Sequence, residues 1–516
     1  MATNTTQDSS PRSESKRRGV SRRTVLKTGT LTAAASLVLS PWAKAGVTST
    51  KPRNSLFDRE LFLVNRLTMG FTIHEYKEAK RLGYQAYLDQ QLDHLNIDDS
   101  QIENLLAAEF PSLRMTPIEL WRTYVLNGTQ YVAMLELRNA MALRSIFSKR
   151  QLFQRMAEFW TDHFSISHDK SYEMKTVDDR EVVRAHALGN FKDMLIASAH
   201  SPAMLYYLDN WINFAGLAQE NYSRELLELH TLGVGGGYTE TDVKELARCL
   251  TGWTITNSAF FYGKFAFRPA LHDDGAKTVL GFNIGAGGGI SDGEFMLGRL
   301  GSHKSTRNFI ATKMCRWLLS HNPPDQVVEN VRGVYHQTQG DIQSMVREIF
   351  RDENVDAARP VQYPKLKRPY HYIVSLARAA QVTVGKDAYT MRGDYLMYWM
   401  YLLGQYPFGR ATPDGYPDKI EAWGQSLLPR WQFASALFDG QIPHVTVHLD
   451  RLEKEVNGFQ RPFLAEQLNY LFMGGAMAER DIAEVQRYVD NAPYYDERII
   501  REAMALAASS PSFQYY

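Results

Sequence analysis

Cysteine is nearly missing from this sequence, with Cys249 and Cys315 the only two in 516 residues. Two thiols cannot build a disulfide scaffold or a multi-cysteine zinc or iron-sulfur site. A basic surplus is missing too: 58 Lys and Arg stand against 57 Asp and Glu. Without one, no broad positive face is available for a phosphate backbone, which argues against nucleic acid as a partner. Beyond residue 45 no window holds 18 consecutive apolar residues, so no helical membrane span is expected in that part of the chain. Several catalytic and metal signatures are absent: H-E-x-x-H, paired E-x-x-H, an EF-hand loop, C-x-x-C and the G-x-S-x-G elbow. The run Gly285-Ala286-Gly287-Gly288-Gly289 is not followed by Gly-Lys-Ser/Thr and reads as a loop, not a phosphate cradle.

What is present is an ordinary globular composition, 44% hydrophobic, 22% charged and 12% aromatic, in a chain too long for one small core. The N-terminus reads as an address. Ser21-Arg22-Arg23-Thr24-Val25-Leu26-Lys27 matches a twin-arginine export motif except for Val25 in place of Phe. A mildly apolar stretch from Thr28 to Trp42 follows, then Ala43-Lys44-Ala45, an A-x-A site that places cleavage between Ala45 and Gly46. The expected organisation is a signal peptide over 1–45 and a single body over 46–516. That body carries 50 basic and 55 acidic residues and is expected to be periplasmic or extracellular. Its expected partner during export is the twin-arginine translocase. A chain that folds before export forms a bridge only between thiols already adjacent, so two separate buried thiols are the expectation for Cys249 and Cys315.

Helical signals dominate the body. Thr72-Ile73-His74-Glu75 reads as a capping box opening a helix to Leu92, and Thr116-Pro117 opens a periodic run to about Phe147. Further helices are expected over 151–164, 180–200, 221–232 and 239–250, with Gly233 as a stop. Phe260 to Phe267 reads as a short hairpin inside an irregular, glycine-rich insert over about 253–292. Helices resume over 294–300, 306–319, 341–350, 370–380 and 395–403, with three more after Trp431. The expected fold is mainly α: a multi-helix bundle of two closely packed lobes with a short β-hairpin and a Gly-rich insert.

The segment from Glu220 to Gly233 is the most informative. Helical spacing puts Asn221, Arg224, Glu225 and Glu228 on one stripe and Tyr222, Leu226 and Leu229 on another. Two carboxylates, a guanidinium and an amide on one stripe suit acid/base or anion-binding work in a cleft, while spacing alone suits a structural ion-pair network better. The sequence Glu220-Asn221-Tyr222-Ser223-Arg224-Glu225-Leu226-Leu227-Glu228-Leu229-His230-Thr231-Leu232-Gly233-Val234 closely resembles the hallmark of the bacterial domain-of-unknown-function 1800 family. So do Asn65 to Gly70, Phe159 to Phe164, His272 to Gly281, Pro413 to Asp418 and the closing Ser510 to Gln514, with Ser512 where Glu is more common. The resemblance spans residues 57 to 514. It implies a predominantly helical, exported protein, and by analogy a partner in a second exported family of alkaline-phosphatase-like appearance.

Two other blocks add candidates. Trp160-Thr161-Asp162-His163 ends a helix, where neighbouring Asp162 and His163 do not face one another. His272, Asp273 and Lys277 lie on a loop, where a polar cluster suits an anionic ligand or a solvated turn. The expected function is hydrolysis or transfer at an anionic or glycan-like envelope substrate. Glu225, Glu228 and His163 are the expected catalytic residues, and Asn221, Arg224, Trp160, His272, Asp273 and Lys277 the expected substrate-binding ones. The alternative is a non-catalytic binding or assembly protein. No cofactor is specified, and a metal site assembled from Asp162, His163, Glu225, Glu228, His230 and His272 stays open.

Overall fold

Local sequence sets most helix ends in the computed structural model, which describes residues 58–257, 262–358 and 365–516. The export segment lies outside them, and the described residues all fall in one compact unit. Capping works as the chemistry demands. Thr116 and Glu119 exchange backbone bonds in a full capping box with Pro117 at the first helical position, and Thr239 and Asp242 do the same. At Thr72 only half the box forms. Its hydroxyl accepts from Glu75 N at 3.1 Å, while the Glu75 carboxylate accepts from Tyr87 at 2.6 Å.

The chain is mainly helical, yet three of the expected long helices are divided. Gly83, at φ +85°, separates Ile73–Leu82 from Tyr84–Leu92. The run from Thr116 becomes Pro117–Leu120, a π turn over Trp121–Val125 and, past Gly128, the helix Gln130–Phe147. The run from Arg180 becomes a π turn over Asp179–Arg184 and, after an Asn190 cap, the helix Phe191–Ala199. The helical segment His168–Asp178, kinked at Tyr172 (φ +40°), and the helix Asp325–Thr338 are not among the expected elements. Four helices follow Leu427–Phe438, where three were read after Trp431: Leu449–Glu455, Leu464–Met473, Glu479–Asn491 and Glu497–Ser509.

The irregular insert holds two antiparallel ribbons. Phe265–Phe267 pairs with Trp253–Ile255, in register Trp253 to Phe267, so the expected hairpin begins earlier than read; residues 258–261 lie outside the described residues. Lys277–Val279 pairs with Phe282–Ile284 around Leu280-Gly281, both at positive φ as a two-residue primed turn requires. A further short pair joins Thr383–Val384 to Val445–Thr446.

At the centre lies the helix Gln151–His163, buried along almost its whole length. Such a helix has no solvent face, so its polar residues must find partners inside. Cys249 and Cys315 are both buried and unbridged, and burial pushes each thiol up to about 12. No helix among the described residues is long and apolar enough to cross a membrane.

Candidate functional site

Two faces of the central helix meet two different charge clusters. Arg155, Glu158 and Asp162 recur at i, i+3 and i+7 and face Arg368, whose guanidinium donates to Glu158 and, at 2.6 Å, to Asp162 Oδ2. Phe159 and His163, at i and i+4, face the helix Lys304–Leu318. Asp162 and His163 therefore diverge, as adjacent helical positions must.

His163 is buried, and two bonds fix its tautomer. Nε2 lies 3.1 Å from the His230 carbonyl oxygen and so carries the hydrogen, which leaves Nδ1 to accept from Lys313 Nζ at 2.9 Å. The His230 carbonyl is available because it lies in the last turn of a helix, where carbonyls lack helical partners. That helix starts as α over Asn221–Glu225 and widens to a π turn over Leu226–Thr231. Burial, then Lys313 and His230, drive the His163 imidazole well below its ordinary range. His230 is buried with neither ring nitrogen hydrogen-bonded to a described residue, and burial together with Lys313 pushes it down to about 3.

Lys313 is part-buried, over Phe309 at 5.3 Å and Phe159 at 6.0 Å. Among the described residues its one hydrogen bond is to His163 and no carboxylate lies within ion-pair distance. Burial pushes its ammonium down to about 8, with Asp162 and Asp414 acting in the opposite sense from farther away. No sequence motif marks it. The available signal was a lone lysine on the face shared by Phe309 and Trp317, four residues to either side.

Asp414 belongs to the loop that covers the end of the central helix. Arg410 holds its carboxylate with bonds of 3.1 and 2.9 Å, and Thr412 donates at 2.5 Å. Burial raises this carboxyl, but those donors outweigh it and hold it below the ordinary range. Glu225 is the reverse case. It makes no hydrogen bond or ion pair to a described residue, and burial, then Glu228, push it up, with Asp414 adding and Arg224 opposing. Both carboxylates also act on Tyr207, which donates to the Ala411 carbonyl at 2.7 Å.

Electrostatic coupling thus runs from Glu225 to Asp414 and from Asp414 to Lys313, which donates to His163. The structure places the other expected residues elsewhere. Arg224 grips Glu240 at 2.7 and 2.8 Å, reaches Glu220 at 3.3 Å and comes within 4.0 Å of Glu228, an outward ion-pair network. Asn221 is exposed at the helix start, and Trp160 is buried with its indole donating to the Ala187 carbonyl at 3.0 Å. The loop residues form their own cluster. Lys277 donates to Asp292 at 2.6 Å and to the carbonyls of Asp273 and Gly275, which uses all three of its N–H groups. His272 bridges the Thr251 carbonyl at 2.8 Å and Asp292 at 3.2 Å, and Asp273 holds Arg248. Completely engaged and buried, Lys277 has no donor left for a ligand. Among the described residues no three His, Cys, Asp or Glu side chains are grouped as a metal ligand set, so the six candidates do not assemble into one. A small crevice of about 10 Å³, lined by Met141, Arg144, Ser145, Gln154, Thr161 and Arg184, lies on another side of the central helix.

A family model described as "Protein of unknown function (DUF1800)" matches residues 62–515. The chain belongs to this family. No curated protein and no solved structure matches it. The DUF1800 match takes in Glu225 and His163 together with Lys313 and Asp414, which lie 88 and 189 residues beyond Glu225 in the chain.

Proposed function

We propose that this DUF1800 protein is an exported hydrolase or transferase acting on an anionic or glycan-like envelope substrate. Glu225 is its general acid and Asp414 its ionised carboxylate. The observation that carries this reading is the opposed environment of the two: Glu225 unpartnered and pushed up, Asp414 clamped by Arg410 and held down. Two coupled carboxyls tuned apart divide acid and base work between them. In this reading His163, with both nitrogens engaged, positions Lys313 and does not touch substrate. Arg224 and Glu228 shape the helix from outside, and Lys277 braces the insert.

The test is turnover of envelope glycan and phosphoester preparations by the purified protein, beside complementation of a deletion strain. Glu225→Gln and Asp414→Asn are each expected to lose about a hundredfold or more of that turnover. Their thermal midpoints should stay within a few degrees of the parent, because an amide keeps the volume. Full complementation by both folded variants would remove the assignment.

Export through the twin-arginine translocase belongs to the same proposal and rests on Arg22, Arg23 and the Ala45-Gly46 junction. The protein recovered outside the cytoplasmic membrane should begin at Gly46, and Arg22→Lys with Arg23→Lys should hold it in the cytoplasm. Undiminished export of that double variant would overturn the address.

A second reading, assembly with another exported protein, draws on the helix Asp394–Leu402, where Tyr398, Tyr401 and Leu402 are 57%, 64% and 46% exposed. It gains ground if Tyr398→Ala with Tyr401→Ala abolishes complementation while the two amide variants retain it.

A further inference from the structure

We propose that Lys313 is a nucleophilic amine that takes a carbonyl compound, an aldehyde or ketone, as an imine. The inference is independent of the acid/base roles given to Glu225 and Asp414. It rests on what surrounds the amine. Three interior lysines are neutralised by a carboxylate, Lys175 by Asp178 at 2.5 Å, Lys277 by Asp292 at 2.6 Å and Lys365 by Asp418 at 2.6 Å, whereas Lys367, over the Phe513 ring, has none among the described residues. Lys313 has no such partner among the described residues. Its hydrogen-bond partner is the Nδ1 lone pair of a neutral imidazole, and its walls are the rings of Phe159 and Phe309.

That arrangement favours the uncharged amine twice over. Aromatic walls desolvate the ammonium, and a neutral acceptor returns less than a carboxylate would. It also orients the nitrogen, because one N–H directed at His163 leaves the lone pair of the neutral amine to point away from the imidazole. The titratable groups facing Lys313 are Asp162 and His163 from the central helix, His230 from the π turn and Asp414 from the covering loop. Of these, the two carboxylates favour the charged amine from beyond ion-pair distance, and burial overrides them. His230 supplies a second observation. It is a buried imidazole beside His163, 6.1 Å between ring centroids, with no hydrogen bond from either nitrogen to a described residue, and so has bonding capacity for a polar guest.

In the reaction the Lys313 nitrogen adds to the carbonyl carbon, forming a C–N bond as the C=O π pair moves to oxygen. The nitrogen gives up its two hydrogens in turn to that oxygen. The oxygen departs as water, and a C=N bond remains. No oxidant or reductant is consumed.

The experiment treats the mature-length protein with acetaldehyde and cyanoborohydride, which converts any imine to a stable secondary amine. Modification at each lysine is read by peptide mass spectrometry from pH 6 to 10. An amine titrating at about 8 has a neutral fraction at pH 7 on the order of a hundredfold above that of an ordinary lysine. Lys313 should therefore be modified at least tenfold faster than the surface lysines at pH 7, with a half-maximal rate near pH 8. Lys313→Arg should delete that signal and leave the other lysines unchanged. Modification of Lys313 no faster than at the surface lysines, or none at all, overturns the proposal. So does a half-maximal rate in the ordinary lysine range.

Discussion

Replacing Arg368 with methionine should destabilise the protein by about 3 to 5 kcal/mol, the usual cost of removing one partner from a buried ion pair. Arg368 is buried beside Trp317, with its guanidinium 4.6 Å from the ring centroid, and it joins Glu158 and Asp162 on one face of the central helix. Burial alone would lower its basicity, but Asp162 and Glu158 more than offset that, and the group is driven above its ordinary range. Methionine fills the space and supplies no charge, which leaves Glu158 to Arg155 at 3.5 Å and Asp162 to a backbone N–H at 3.4 Å. The loss should depend on pH in a set direction. Burial already holds the Glu158 carboxyl above its ordinary range in the parent, with Arg368 and Arg155 opposing. Removing Arg368 raises it further. A carboxyl raised on folding binds more protons folded than unfolded, so its contribution falls as pH rises through that window and recovers on acidification. The deficit of Arg368→Met, measured by chemical denaturation, should therefore be largest near neutral pH and shrink toward pH 4. Glu158→Gln in the Arg368→Met background should restore part of it. A deficit below about 1 kcal/mol would mean that water reaches the pair and screens it.

The parts of this fold legible in sequence were those written by short-range chemistry. Thr116-Pro117 and Thr239 mark helix starts because side chain and backbone three residues apart satisfy one another. The breaks were harder. A π turn such as Trp121–Val125 keeps an apolar rhythm close to that of the α-helix around it, and at Gly83 the rhythm resumes one residue later. The helix Asp325–Thr338 was obscured by its own composition. Val327, Val328, Val331 and Val334 with Gly333 are weak helix formers, and only burial of Val327, Val331 and Tyr335 against the core makes the segment helical. The second ribbon, three residues per strand, is too short for alternation to register.

The site divides in the same way. Glu225 and His163 stood out because each sits in a dense motif. Lys313 did not, since one lysine in an ordinary amphipathic helix has no spacing to betray it. Asp414 lay in a block matched only by resemblance, and its tie to Glu225 spans 189 residues. The His272 to Lys277 loop shows the opposite error. Its residues are as polar as a ligand site, but the polarity serves Asp292 and Arg248 inside the insert. Sequence reports which groups are present; only packing decides whether each is already satisfied.

Gly415→Ala should be the most damaging single-atom-group change in the covering loop. Gly415 sits at φ +72°, and a Cβ there would lie 2.2 Å from the Asp162 carbonyl oxygen and 2.9 Å from its carbon. Both are backbone atoms at the end of the central helix and cannot swing aside as a side chain would. The loop must lift instead. That weakens the bonds from Tyr416 N to Asp162 at 3.4 Å and from Arg368 to the Tyr416 carbonyl at 3.3 Å, and it carries Asp414 away from Glu225. The positive φ contributes about 1 kcal/mol and the displaced packing about 1 to 3 kcal/mol more. Gly235, at φ +75° with nothing within 4 Å of its Cβ position, isolates the first of these. Gly235→Ala should lower the thermal midpoint by only a few degrees, and Gly415→Ala by clearly more, with loss of complementation even where the variant is folded. Asparagine sharpens the test, because it tolerates positive φ yet still carries a Cβ. Gly415→Asn should be nearly as damaging as Gly415→Ala. Recovery of parental stability and function in Gly415→Asn would show that backbone conformation, and not the close approach to Asp162, is what the glycine provides.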